Sequence, residues 1–392
     1  MQTQAIGNQG ADFVPDVAAI AAVIFGVTAF AVAQGLTYPL ISLVLQHRGV
    51  APALAGLNAG VFAAGLAAST LAVGRLTRAM RGDHLIVAGL AGCALSLATF
   101  AAFDDLWVWF LARFTLGFCA SLIFVLSEAW LNSACPDRLR GRVSGLYGMG
   151  LCGGFAAGPL AIPLFGTEDG FAFASLAVYV ALVAFLTVLL SRRAKTQPER
   201  AGSGQMMMFF RKAPLLVAMV SAFAFADIAA ISTMPAYFVR IGHTEAFAAF
   251  SVTVLALPTA IAQPLVGWLL DRSSRAAVAI CSALAAGTSF LAVPFLSSEA
   301  GILAALAVMG SASFALYTCA LTILGDRFKG GALVAGSAAF ALSYAAGSAA
   351  GSSATGMMME LVSPAAAPVT AGMLLVAFTG VLLGARLRNT IR

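Results

Sequence analysis

"GWLLDRSSR" (residues 267–275) closes a long apolar run and turns abruptly into charge. "GRLTRAMRGD" (74–83) ends another apolar run in the same way, and Gly74 stands 193 positions before Gly267. The same offset carries Gly117 onto Gly310 and "GFAAGP" (154–159) onto "GSAAGS" (347–352). Echoes at half the chain length predict two copies of one six-helix design with a site between them.

Composition says which solvent those copies meet. Of 392 residues 61% are hydrophobic and only 10% charged, far from the quarter charged that soluble domains carry. So much apolar surface cannot be hidden from water, so the chain reads as a multi-pass membrane protein. A bilayer needs about 20 apolar residues per helix. Runs of that kind fall near 17–45, 53–74, 85–103, 107–134, 143–165, 171–191, 214–240, 247–270, 277–296, 302–324, 332–360 and 369–386, which gives twelve spans. The first run is too long, and too poor in preceding Lys and Arg, for a cleaved signal peptide. "RRAKTQPERAGSGQ" (192–205) is the longest polar stretch. It reads as a flexible linker, dividing the chain into a first half (1–191), a linker (192–213) and a second half (214–392).

With both termini cytoplasmic, nineteen of the 22 Lys and Arg fall in inner loops or the tail, among them Arg75, Arg78, Arg81, Arg138, Arg140, Arg142, Arg272 and Arg275. Arg48 and Arg240 lie outside and Arg113 within a helix. The positive-inside rule therefore sets the orientation. The net charge of +6 reports topology and anionic lipid, with no support for nucleic-acid binding. Cys93, Cys119, Cys135, Cys152, Cys281 and Cys319 show neither disulfide framework nor metal spacing, and His47, His84 and His243 are scattered. No metal, no cofactor and no enzyme site is expected, because no nucleophile and base stand at useful spacing.

"GWLLDRSSR" fits the Gly-x-Leu-x-Asp-Arg-x-x-Arg loop signature of the major facilitator superfamily. "RFTLGF" (113–118) resembles its fourth-helix Arg motif, and "GFAAGP" its fifth-helix antiporter signature. "SEAWLNSACPDRLRGRVSGLYG" (127–148) and "ALYTCALTILGDR" (315–327) are similar to a bacterial, drug-resistance-like branch. The resemblance spans all twelve runs. It implies an all-α fold of two pseudo-symmetric halves, a bacterial inner-membrane location and a rocking transporter. One departure is plain: the acidic loop position is Arg78 in the first half and Asp271 in the second.

Gating is expected at Gly74 and Gly267, where backbones approach, and at Asp271, Arg272 and Arg275, which can bond neighbouring helix ends. Gly154, Gly158 and Pro159 make a small-residue face with a bending point, although close packing alone would also explain them. Charges in hydrocarbon need a partner or a water-filled cavity; Arg113, Glu128 and Asp227 meet that condition, while Asp16 and Glu360 sit at span ends. Arg113, Gly117, Ser121, Phe124 and Glu128 share one face of the fourth span at about 100° per residue. Arg113 and Glu128 stand roughly 22 Å apart along it, too far to pair. By the resemblance, helices one, four, seven and ten line a central cavity, which puts Arg113, Glu128 and Asp227 around a common space. Asp227 is then the first candidate to carry a proton and Glu128 the second; Arg113 either clamps a substrate carboxylate or tunes an acid. Gln34, Tyr38, Ser121, Phe124, Phe223, Met234, Phe314 and Tyr317 are the expected cavity residues, and such aromatics suit an amphipathic organic ligand.

The expected function is a monomeric, proton-coupled exporter of amphipathic small molecules such as drugs, a secondary metabolite or a siderophore. Proton-driven uptake of an organic acid or other small solute, and a non-transporting sensor on the same scaffold, are the alternatives.

Overall fold

The computed structural model describes residues 16–135, 137–167, 170–196, 206–328 and 331–387. Among the described residues all regular structure is helical and there is no strand. Lipid dictates this, since it offers no partner for an unpaired backbone N–H or C=O. The first six spans are α1 (Val17–His47), α2 (Pro52–Ala79), α3 (Gly82–Ala102), α4 (Leu106–Ala134), a broken fifth, and α7 (Phe171–Ser191). In the fifth, α5 (Asp137–Ala157) passes through a 3-10 turn at Gly158–Ala161 into α6 (Ile162–Phe165). The expected bend is therefore a tightened turn, at a proline that has no N–H to offer the α ladder.

After the short α8 (Met206–Lys212), the seventh span runs from α9 (Pro214–Ile228) through a π-helical turn, Ala229–Thr233, into α10 (Met234–Arg240). Then follow α11 (Glu245–Arg272), α12 (Arg275–Ala292), α13 (Glu299–Arg327), α14 (Gly331–Leu361) and α15 (Ala366–Leu387). Eleven described spans are long and apolar enough to cross a membrane. The expected span at 332–360 is α14, a 31-residue helix rich in Gly, Ala and Ser. Its sequence is written for close packing more than for lipid.

Two boundaries moved for physical reasons. α2 continues to Ala79, five residues past the apolar run, because Arg75 and Arg78 extend the helix while their side chains are exposed at the wall of a large cavity. The stretch expected as a flexible linker is anchored at both ends. Near its start, the Asp16 carboxylate accepts from Lys195 N at 2.6 Å and from Thr196 N and Oγ1 at 2.7 and 3.0 Å. The Trp130 indole N–H also donates to the Thr196 carbonyl at 3.0 Å. At its end α8 buries Phe209, whose ring stands 5.0 Å from Phe328 and 6.2 Å from Phe340. The apolar "MMMFF" (206–210) provides this docking surface.

The repeat is a repeat of backbone contacts. A Cβ added to Gly154 would meet the Thr28 carbonyl at 2.5 Å, and one on Gly347 the Ser221 carbonyl at 2.3 Å. In the same way a Cβ on Gly158 would collide with the Val32 carbonyl and one on Gly351 with that of Phe225, and a Cβ on Gly117 would collide with the Phe62 carbonyl and one on Gly310 with that of Leu255. In all three pairs the glycine and the carbonyl it touches are both displaced by 193 positions. Only glycine permits such an approach, and without a hydrophobic drive between helices in lipid this close packing holds them together. Gly267 departs from the pattern: a Cβ there would meet nothing within 4 Å, so it is not the close-approach point its motif suggested.

Candidate functional site

Between the halves lies a cavity of about 880 Å³. Gln34 and Tyr38 reach it from α1, Ser121, Phe124 and Glu128 from α4, Phe223 and Asp227 from α9, and Phe314 and Tyr317 from α13. Ten of the expected residues, Gly74 among them, therefore share one space. The face shared by Ser121, Phe124 and Glu128, and the i, i+4 spacing of Phe223 and Asp227, deliver them there as helix geometry requires.

Inside it the aromatic groups form a shelf. Phe223 stacks on Tyr317 at 5.0 Å and meets Phe314 edge-on at 5.6 Å. The Tyr344 ring lies 5.9 Å from Phe223, and its hydroxyl donates to Asp227 Oδ2 at 2.9 Å. Gln34 occupies the position equivalent to Asp227 under the 193-residue offset, and its amide donates to Tyr38 Oη at 3.4 Å. Two pseudo-equivalent positions at mid-depth thus carry an acid in one half and a neutral amide in the other. The cavity continues past Gly74 to Arg75 and Arg78, so it leads toward the arginine-rich end of the bundle.

At the opposite end the halves touch. A Cβ on Gly56 would lie 2.2 Å from Ser352 O, and one on Gly356 would lie 2.4 Å from Pro52 O. Glu360 on α14 accepts from the Ala53 N–H in the first turn of α2 at 2.9 Å, offsetting one of the unpaired donors of that helix start. Arg240 Nε donates to Gln46 Oε1 at 2.7 Å. His47 is paired with Glu245, and the Thr167 hydroxyl donates to Glu245 at 2.7 Å.

Several expectations need correction. Arg113 does not share the cavity of Glu128 and Asp227. It is 1% exposed, with its guanidinium set against the rings of Tyr38 at 5.1 Å and Phe62 at 4.9 Å; those two rings line the cavity and Arg113 does not. Met234 is 1% exposed and packed in the core. The π turn before it advances the chain by less than 100° per residue, so seven residues past Asp227 no longer return to the same face. Arg272 lies over its own neighbour Trp268 at 4.6 Å. Arg275 does make the expected bond to a neighbouring helix end, pairing with Asp326 in the last turn of α13 at 2.7 Å, within the second half. The Asp271 side chain, and those of Arg138, Arg140 and Arg142, lie outside the described residues.

Tyr344 was missed, as were Phe62, Leu66 and Thr70 of α2, because α2 and α14 were not counted among the cavity helices. The sequence signal was slight: Tyr344 is the one tyrosine of α14, and the structure places its counterpart under the offset, Leu151, on the cavity wall as well.

Comparison with known proteins agrees with this architecture. A bacterial homologue of the human lysosomal transporter Spinster, in an inward-facing and unoccupied conformation, superposes with a TM-score of 0.74 at 14% identity, over 96% of each chain. The nucleoside transporter NupG superposes with a TM-score of 0.73 at 12% identity, covering 95% of this chain and 98% of that one. In sequence, the uncharacterized MFS-type transporter YfkF of Bacillus subtilis (strain 168) is 28% identical over 334 residues, 83% of this chain and 85% of that protein. The MFS-type transporter YcaD of Escherichia coli (strain K12 / DH10B) is 28% identical over 285 residues, 71% of this chain and 70% of that protein. The sequence profile described as Major Facilitator Superfamily matches residues 23–352. With its long apolar helices, a packing repeat of 193 residues and a cavity between its halves, the chain belongs to the major facilitator superfamily of membrane transporters.

Proposed function

We propose that the protein is a proton-coupled exporter of amphipathic small molecules, working by alternating access from the bacterial inner membrane with its arginine-rich face in the cytoplasm. The observation that carries this reading is Asp227: a membrane carboxylate on the wall of an aromatic cavity, held by one phenol and by no cation among the described residues. A charge there is costly unless the cavity supplies water or a proton neutralises it. The reading assigns Asp227 the transported proton, with Glu128 as the second acid nearer the cytoplasm. Phe223, Phe314 and Tyr317 receive the apolar body of the substrate. The contacts of Gly56, Gly356, His47 and Glu245 close the outer face, and rocking separates them while the cytoplasmic ends approach.

Respiring everted vesicles, whose interior is acidic, test this with a pH-sensitive dye and a panel of cationic, neutral and anionic amphipaths. A compound that releases protons from wild-type vesicles and not from Asp227→Asn vesicles supports exchange through Asp227. Equal release from both removes Asp227 from the coupling step. If no compound releases protons from either, export of this class is wrong. Uptake of an organic acid then becomes the working reading, with Arg75 and Arg78 at the cavity mouth as the anion contacts in place of Arg113.

A further inference from the structure

A second, much smaller cavity lies at the closed end, beyond the rings of Tyr38 and Phe62. Its volume is about 20 Å³, room for one particle of water or halide size. Arg113, Asn58, Ser42 and Ser232 face it, together with Tyr38. Asn58 is 0% exposed, and neither atom of its amide has a hydrogen-bond partner in the protein; nor does Arg113 Nε. A buried, permanently charged guanidinium needs a counter-charge. Among the described residues no carboxylate lines the cavity or pairs with Arg113. The faces of Tyr38 and Phe62 offset only part of that cost.

We propose that this cavity binds a single monatomic anion of chloride size, held by the guanidinium of Arg113, the Asn58 amide and the hydroxyls of Ser42 and Ser232. The lining is rich in donors and carries a net positive charge, which selects an anion over water. The small volume favours a monatomic ion over bulky phosphate or sulfate. The walls come from α1, α2 and α4 of the first half and from the π turn, α10 and α14 of the second. An anion there therefore binds the closed form of this end and stabilises it by the same factor that closure improves its own binding. The site is independent of the transported substrate and of the direction of transport.

The test is thermal unfolding of the full chain in lipid nanodiscs, in sodium chloride, bromide, gluconate and sulfate at equal ionic strength. Sulfate stabilises proteins generally by exclusion from their surface. A site of this kind reverses that order: chloride gives a saturable rise in melting temperature over gluconate that exceeds the rise in sulfate. Asn58→Leu loses the chloride increment while melting in gluconate as the parent does. Chloride at or below sulfate overturns the proposal, as does an undiminished increment in Asn58→Leu; water then fills the cavity. Should Asn58→Leu fail to fold, anomalous scattering from wild-type crystals grown in bromide decides. A peak between Arg113 and Asn58 supports the site and its absence overturns it.

Discussion

Gly56→Ala should open the closed end. The added Cβ would stand 2.2 Å from Ser352 O and 3.1 Å from Gly356 Cα. Carbon to carbonyl-oxygen contact begins near ~3.3 Å, so α2 and α14 must part by about 1 Å. Both obstacles are backbone, so no rotamer relieves the clash. α2 belongs to the first half and α14 to the second, which makes separation of the halves at this end the available relief. Overpacking of this kind costs roughly 1–3 kcal/mol, and the open form escapes that cost. The closed-to-open equilibrium should then shift by about 5- to 150-fold. Maleimide labelling of Ser232→Cys, a position 9% exposed in the closed form, reads the shift in detergent, where reagent reaches both faces. Cys152 and Cys281 are first changed to alanine; the other four cysteines are buried. Gly267→Ala is the control, with no atom within 4 Å of its new Cβ, and should label at the parent rate. If Gly56→Ala labels no faster than this control and melts where the parent does, the steric argument fails.

Glu245→Gln removes one charge from the His47 pair, whose side chains are 34% and 32% exposed, so screening limits the effect to about 1 kcal/mol or less. Labelling of Ser232→Cys should rise, but by less than in Gly56→Ala. Tyr344→Phe keeps the ring against Phe223 and deletes the donor to Asp227, a bond to a charged group worth about 1.5–3 kcal/mol. The pH profile of exchange should move while binding of an apolar substrate stays near the parent value; an unmoved profile would detach Tyr344 from the proton step. At the arginine-rich end, burial raises the Asp16 pKa, but bonds from the Thr196, Ala19 and Lys195 N–H groups and the Thr196 hydroxyl outweigh it and hold the carboxyl below its usual value. Its stabilisation is thus present above about pH 4 and is lost as pH falls through the lowered value. Asp16→Ala should cost about 1–2 kcal/mol at neutral pH, and melting curves of variant and parent should converge in acid. A gap that persists in acid would mean that the cap is not electrostatic.

Much of the architecture was legible because the bilayer simplifies the code. Apolar runs of helical length must become helices where no other backbone partner exists, and the paired glycine strings announced the repeat before any contact was known. Helix periodicity also grouped Ser121, Phe124 and Glu128, since an unbroken α4 keeps strict register. Met234, expected at the cavity as a residue of the seventh span, lies in the core because a π turn consumes rotation that no propensity reveals. Register put Arg113 on the face of Glu128, but a guanidinium reaches well to either side of its helix, and the packing of Tyr38 and Phe62 decides which space it meets. Tyr344 belongs to the same class: its hydroxyl matters only once α14 stands beside α9.

Sequence alone therefore determined the solvent, the twelve spans, the duplicated design and the three charges that hydrocarbon cannot tolerate unaided. Each of these depends on residue type and spacing along one helix, where the geometry is known in advance. Tertiary structure decided which charges share a cavity, which phenol holds Asp227, and which end of the bundle is closed. Those outcomes depend on close approaches between helices far apart in the chain, set by glycines against distant carbonyls, and no local period encodes them.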